Sequence, residues 1–451
     1  MLATMLATIS GCRRAPSPVQ TSRLQAVDYG SLPGARSSQH LELQREIARL
    51  EKRHATPIQL ELVQAASYQS FSGHDDTASG PPYTPRWAEV LEEEDWSKLH
   101  KRIERLFPDG TDRWISLRSS AAQDFAEKHD ASRRAIRQIM IEESSPPRVR
   151  HSEGLLADVS FLDKAQVYLC WEQIHAVRLT LDQQRADVVP TLAATFEMIG
   201  RMAHTDHLVP RLAAAQWRRS SWELVQQLIG SGQFRRPDYE GLQGIAAAQL
   251  AQWPRDAQAW TADRAQALHT YEVIRAGYLT SILSRDEIRH FRDVDIMPRL
   301  QTAAERIDGD QYYYLQTMRE FIRNCDLPYA QRRQQLQAMY AEQKRLQAEP
   351  EYPAIAVHLF LANLEPAQRQ LALDRALCEA WQLGISVALD PDGRQERVNS
   401  MTGEPFVVSH DAAAISIWGA TENTGRPLVI PHLPSGNAKR VFEPSGRTRQ
   451  R

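Results

Sequence analysis

The chain is poor in lysine, in cysteine and in long apolar runs, and it carries almost no net charge. Of its 54 basic residues, seven are lysine and 47 arginine. Codon usage in a GC-rich genome accounts for such a bias. The functional counterpart is a set of guanidinium forks for phosphates or anionic glycans, which arginine binds bidentately. The four cysteines, Cys12, Cys170, Cys325 and Cys378, form no CxxC pair, which excludes a zinc ribbon and a thioredoxin-type redox centre. No apolar run approaches the roughly 18 residues that a membrane-spanning helix needs, and the mean hydropathy is −0.49. The 54 basic residues face 56 acidic ones, for a net charge of −2, whereas a general nucleic-acid binder carries a basic excess or stripe. GxSxG, the P-loop and GxGxxG are also missing, so the short motifs of hydrolases and nucleotide binders do not apply. What remains is an ordinary globular composition, 42% hydrophobic and 24% charged over 451 residues. That length allows about three folding units of ~150 residues, or fewer larger ones.

The N-terminus reads Met-Leu-Ala-Thr-Met-Leu-Ala-Thr-Ile-Ser-Gly-Cys. Ile9-Ser10-Gly11-Cys12 is an aliphatic residue, two small residues and a cysteine. No Lys or Arg precedes it, and residues 13–38 turn abruptly to Pro, Gly and Ser, including Pro16, Pro18, Gly30, Pro33 and Gly34, the composition of a flexible tether. Ile9–Cys12 resembles the lipobox of bacterial lipoproteins. The resemblance implies acylation of Cys12 and a membrane contact through the N-terminal lipid. Each buried methylene contributes about 0.8 kcal/mol, so more than one acyl chain is needed for a stable anchor. It implies an envelope address facing the periplasm, and Arg13 in place of aspartate implies outer-membrane sorting. Without lipidation the alternative address is the cytoplasm. With Cys12 acylated, three cysteines remain, an odd number that cannot all pair.

Beyond residue 38 the apolar spacing is helical. The organisation expected is a signal and tether over 1–38, an N-terminal helical region over 39–145 interrupted by a Gly/Ser/Pro loop at 72–86, and a main helical domain over 146–384. A small β-element over 385–434 and a polar, disordered tail over 435–451 complete it. Val167, Cys170, Trp171, Ile174, Val177 and Leu181 mark one face of a long helix. Pro190 and Pro210 open the next two, and Gly230-Ser231-Gly232 ends the second of these. Further helices are expected at 86–107, 131–143, 237–252, 255–283, 284–306, 310–325, 328–347 and 350–385. Short connections make successive helices antiparallel neighbours. The fold class expected is mainly α, antiparallel helical hairpins in a bundle or irregular array. Ten tryptophans read as core, with Trp171, Trp222 and Trp260 on apolar faces; a sugar platform is the functional counterpart.

Near Gly384 the period changes. Ile385-Ser386-Val387-Ala388-Leu389 alternates as a strand does, and Phe406-Val407-Val408 and Ile415–Trp418 follow as strand candidates. Met401-Thr402-Gly403-Glu404-Pro405 followed by those two strands and Gly419 resembles the C-terminal β-region of type II secretion pseudopilins. It is also similar to the ending of some helix-rich bacterial envelope proteins. About 35 residues carry this likeness, Asn399-Ser400-Met401 stands where an Asp-Pro start is usual, and only Glu422 is acidic after Gly419. The resemblance implies a small β-appendage and an envelope setting, with an accessory role in a secretion or pilus-like system as one alternative.

Candidate chemistry is sparse. His204 and His207 stand at i, i+3, a spacing that places two imidazoles on one helix face for a metal; the competing reading is a helix end just before Pro210. Glu172-Gln173-Ile174-His175 and Glu287-Ile288-Arg289-His290 are two Glu-x-x-His pairs, half of what a bundle-type di-iron site requires, with Glu197 and Glu272 available as the further glutamates. Satisfied surface or cap histidines are the plainer reading. His74-Asp75-Asp76 sits in a loop. Asp109-Gly110-Thr111-Asp112, Asp308-Gly309-Asp310 and Asp390-Pro391-Asp392-Gly393 read as turns and caps, since position 12 of a calcium loop falls on Arg319 after Asp308 and on Met401 after Asp390. No cofactor is expected and no catalytic residue stands out. The function expected is membrane-anchored binding or scaffolding with an envelope protein partner and no nucleic acid; a metal-dependent helical-bundle enzyme is the alternative from a different class.

Overall fold

The computed structural model describes residues 85–433, apart from 92–95, 108–112, 148, 150–156, 276, 363, 392, 394–395, 412 and 421–425. Cys12 and its lipobox, the tether, the helices expected between 39 and 71, His74-Asp75-Asp76, Asp109–Asp112 and the tail at 435–451 lie outside the described residues.

The protein is mainly α-helical with a small C-terminal sheet. Five helices come first: α1 (Arg86–Glu89), α2 (Trp96–Leu106), α3 (Arg113–Leu117), α4 (Ser120–Lys128) and α5 (Asp130–Glu142). Ser119 caps α4 by accepting the Ala122 N–H at 3.2 Å. The long helices follow: α6 (Phe161–Leu181), α7 (Val188–Ala203), α8 (Leu208–Gly230) and α9 (Arg236–Ala251). Pro190 and Pro210 fall in first turns, where a missing N–H costs no hydrogen bond. Past α8, Gly232 adopts φ +74°, the left-handed conformation that glycine takes without a Cβ clash. Then come α10 (Asp256–Arg275), α11 (Arg285–Asp293), α12 (Met297–Glu305), α13 (Ile307–Arg323), α14 (Tyr329–Leu346) and α15 (Leu364–Leu389), with a π-helical turn at Ala356–Phe360 ahead of the last.

Two hydrophobic clusters result. In the first, α6 packs on α7, α7 on α8, and α9 on α15. Trp222 stacks on Trp381 with ring centroids 4.8 Å apart, and Phe196 lies 4.5 Å from Trp222. In the second, α10 packs on α13, with the π-turn and the start of α15 closing over them. Trp171, Trp222 and Trp260 are fully buried, as their helical spacing implied. Two helices belong to both clusters. Leu212 of α8 and Leu364–Leu371 of α15 serve the second, while Trp222 and Ala376–Ala388 serve the first.

The sheet contains β1 (Val407–His410), β2 (Ala414–Trp418) and β3 (Leu428–Pro431), antiparallel in that order. Val407 pairs with Trp418, and Ile417 with Leu428. Phe406, Ile415, Ile417, Leu428 and Ile430 are buried, and β2 and β3 rest on α15.

Four readings are corrected. Ile385–Leu389 is the last turn of α15, not a strand. It mimics strand alternation only because the helix is enclosed on both sides: Ser386 accepts a hydrogen bond from Gln243 of α9 at 2.9 Å, while Gly384 abuts β3. The helix expected at 255–283 stops at Arg275, and Gly277 at φ +88° follows. The helix expected at 284–306 is two helices, broken where Asp295 takes φ +54° and Pro298 opens α12. The helix expected at 350–385 begins at Leu364, behind the π-turn. A third strand, β3, was not expected from the sequence.

Candidate functional site

The seam where the two clusters meet holds a buried charge network. Arg211 and Arg218 lie seven residues apart on α8, two turns, so both face the seam. Arg211 Nη2 donates to the Pro254 carbonyl at 2.6 Å and to Asp256 Oδ1 at 2.7 Å, and Nη1 donates to the Ala203 carbonyl. One guanidinium thereby joins the end of α7, the α9–α10 loop and the start of α10. Asp256 also faces Arg332 of α14 at 3.4 Å. Arg218 pairs with Asp374 of α15 and donates from Nε to Gln249 of α9 at 3.2 Å. Gln249 in turn donates to the Phe196 carbonyl of α7. Half-buried Trp253 lies over both cations, its ring centroid 4.7 Å from the Arg218 guanidinium and 6.0 Å from that of Arg211, a cation–π arrangement.

Burial dominates the electrostatics here. It pushes Asp374 up to about 6 against the opposing pull of Arg218, Arg211 and Arg219. It pushes the neighbouring Cys378 thiol up to about 12, and raises the Cys325 thiol as well. A protonated, enclosed thiol is a poor nucleophile. Cys170, Cys325 and Cys378 are all buried.

The Glu-x-x-His pairs occupy different surroundings. Glu172 is fully buried on α6 and accepts from two arginines of α5: Arg133 Nη1 at 3.2 Å and Arg137 Nε at 3.2 Å. His175 is pushed down to about 4 by burial, with Arg133 adding to it, so it is neutral at pH 7. Glu287 and His290 are exposed on α11. Glu287 completes a capping box there, accepting the Ser284 N–H at 2.8 Å while Ser284 accepts the Glu287 N–H. Of the two further glutamates, Glu197 pairs with Arg201 at 3.0 Å and Glu272 with Arg275 at 3.4 Å.

His204 and His207 do not share a helix. α7 ends at Ala203 and α8 begins at Leu208. His204 follows α7, its pKa lowered by burial and by Arg211. His207 is the N-cap of α8, its Nδ1 accepting the Val209 N–H at 3.0 Å. Among the described residues, no group of three or more His, Cys, Asp or Glu side chains is placed to hold a metal ion.

Asp310, in the first turn of α13, has a task of its own. Its carboxylate accepts the Tyr271 hydroxyl at 2.6 Å and the backbone N–H groups of Ile355 and Ala356 at 2.9 and 2.8 Å. It holds the π-turn in place, and burial pushes it up to about 6 despite those three donors. Tyr352 meets His358 of that turn at 3.1 Å. After α15 the Gly393 N–H donates to the Asp390 carbonyl at 3.3 Å; Asp392 of that expected turn lies outside the described residues.

Sequence reasoning passed over Arg211, Arg218, Asp256, Arg332 and Asp374. A signal existed for Arg211, which stands in Leu-Val-Pro-Arg-Leu-Ala, a single charge inside an apolar helical stretch, where a partner is required; Asp374 in Leu-Ala-Leu-Asp-Arg-Ala is masked by the adjacent Arg375. Comparison of the chain with protein-family models, with curated proteins and with solved structures gave no match.

Proposed function

We propose that the chain is a lipid-anchored protein of the bacterial envelope whose helical body binds or scaffolds an envelope partner. The anchor rests on Ile9-Ser10-Gly11-Cys12 and the polar tether behind it. The observation that carries binding over turnover is the employment of the chemically capable side chains. Glu172 is held by two guanidiniums, Glu287 and His207 cap helices, and Asp310 fastens the π-turn. Each of these lone pairs is already a structural acceptor, and withdrawing one from a buried donor costs about 1–3 kcal/mol. The near-balanced charge supports a protein partner over nucleic acid.

The test is metabolic labelling with a palmitate analogue, followed by membrane fractionation. The wild-type chain is expected to take up label and to pellet with membranes, and Cys12→Ser is expected to lose both. Label and pelleting that survive Cys12→Ser would overturn the anchor.

A further inference from the structure

The buried arginines of the body are engaged: Arg133 and Arg137 hold Glu172, Arg211 and Arg218 hold the seam, and Arg275 reaches Asp308. Helix α2 uses its cations differently. Lys98, Lys101, Arg102 and Arg105 stand at i, i+3, i+4 and i+7, the spacing that lines up one helix face, and all four are exposed. Glu104 is the one acid of α2 and falls off that stripe. Among the described residues, no carboxylate lies within ion-pair distance of Lys101 or Arg105. Leu99 and Ile103, on a second face, are buried where α2 packs on α6. Arg102 adds a clamp, its guanidinium 5.4 Å from the Phe125 ring centroid of α4. The helix is thereby fixed with its basic stripe turned to water. The competing partner for the stripe is within the chain: Glu92, Glu93, Glu94 and Asp95 precede α2 in the sequence.

We propose that the α2 stripe lays the body on the anionic phospholipid headgroups of the membrane that anchors Cys12, an inference that rests on the lipid-anchor reading above. An acyl group at Cys12 fixes only the N-terminus. A row of cations on a packed helix sets which side of the body faces the surface. Each Lys or Arg near an anionic surface strengthens binding about fivefold. The apolar face of α2 is taken by α6, so the contact is electrostatic, without insertion. Such a contact fades as the screening length falls from about 30 Å at 0.01 M salt to about 8 Å at 0.15 M. By itself it does not hold an unacylated chain at membranes at physiological salt; it orients an anchored one.

Co-sedimentation of the full chain carrying Cys12→Ser, which removes any acyl contribution, tests this with vesicles at low salt. The chain is expected to pellet with mixed phosphatidylcholine and phosphatidylglycerol, not with phosphatidylcholine alone, and to be released at about 0.15 M salt. Lys101→Glu with Arg105→Glu is expected to weaken binding by at least about 25-fold. The melting temperature is expected to stay unchanged, since neither side chain is buried or paired; Arg102 is kept because it covers Phe125. Arg289→Glu with Arg292→Glu, an equal change of charge on exposed α11, is expected to leave most of the binding. No binding to the mixed vesicles, binding that survives salt, or equal loss in the two double variants overturns the proposal. Binding that appears only after Glu92, Glu93, Glu94 and Asp95 are neutralised also overturns it, in favour of a partner within the chain. Vesicle binding by the stripe together with a wild-type chain that takes up no palmitate label would sink the anchor and keep the stripe.

Discussion

Gly384 of α15 lies directly against Ile430 of β3: a β-carbon at position 384 would stand 2.3 Å from Ile430 Cδ1 and 2.8 Å from Ile417 Cδ1. The sheet is seated on the helix at its one glycine, just ahead of the last turn.

Gly384→Ala sets two effects against each other. Alanine improves helix propensity by about 1 kcal/mol. Overpacking a close-fitted core costs about 1–3 kcal/mol, and two isoleucine methyls inside contact distance place this site at the upper end. A net loss of about 1–2 kcal/mol is expected in urea unfolding. Ile430→Val added to Gly384→Ala restores part of it by removing the nearer methyl; a Gly384→Ala variant as stable as wild type would mean that the sheet is not seated there.

Arg218 and Asp374 pin α8 to α15 at the seam between the two hydrophobic clusters. Removing one partner leaves an uncompensated buried charge, so Arg218→Met is expected to cost about 3–5 kcal/mol. Arg218→Met with Asp374→Leu removes both charges, and recovery of most of that loss is expected in the same denaturation series. Equal losses in the single and double variants would assign the effect to Gln249 and Trp253 instead.

Stability should rise as pH falls from 8 to 6.5. Burial lifts Glu272 to about 7, and Asp310 and Asp374 to about 6, above their ordinary values of 4.5 and 3.8. Each folded-state carboxyl therefore holds a proton that the unfolded chain releases, and its contribution grows as pH drops through the folded pKa. His175 acts in the opposite direction. Burial, with Arg133 adding to it, lowers it to about 4 from 6.5, so its contribution is complete above pH 6.5 and fades below. The melting temperature is expected to climb between pH 8 and 6.5, where Glu272 takes up its proton, and to go on climbing toward pH 5, where the two aspartates outweigh the single histidine. Glu272→Gln is expected to remove the upper part of the climb; a melting temperature that falls over that interval would contradict the assignment.

Helix placement was legible wherever the apolar period ran unbroken. The spans expected for α5, α9 and α14 agree with the structure within a residue or so at each end, because one buried stripe per helix is a local property of the chain. The same rule misread Ile385–Leu389. A helix covered on two sides has no polar stripe, and five residues are too few to separate a period of two from one of 3.6. β3 escaped notice because Pro427 and Pro431 bracket it; proline is excluded from central strands but tolerated at a strand's ends and on an edge, and the edge carbonyls of β3 are satisfied by α8 and α9.

The charge pairs were not legible. Arg218 and Asp374 are 156 residues apart, and Arg133 and Glu172 are 39 apart. Sequence spacing can show that a lone arginine in an apolar helix needs an acceptor, but not which carboxylate arrives beside it. The amino-acid sequence by itself determined the helical class, the buried tryptophans and the near-neutral charge, all of which follow from composition and local periodicity. Only the tertiary structure decided that Glu172 belongs to two arginines, that His204 and His207 stand on either side of a helix break, and that α8 and α15 are joined by buried charge. Those are matters of which groups are desolvated together, and desolvation is a property of the packed chain.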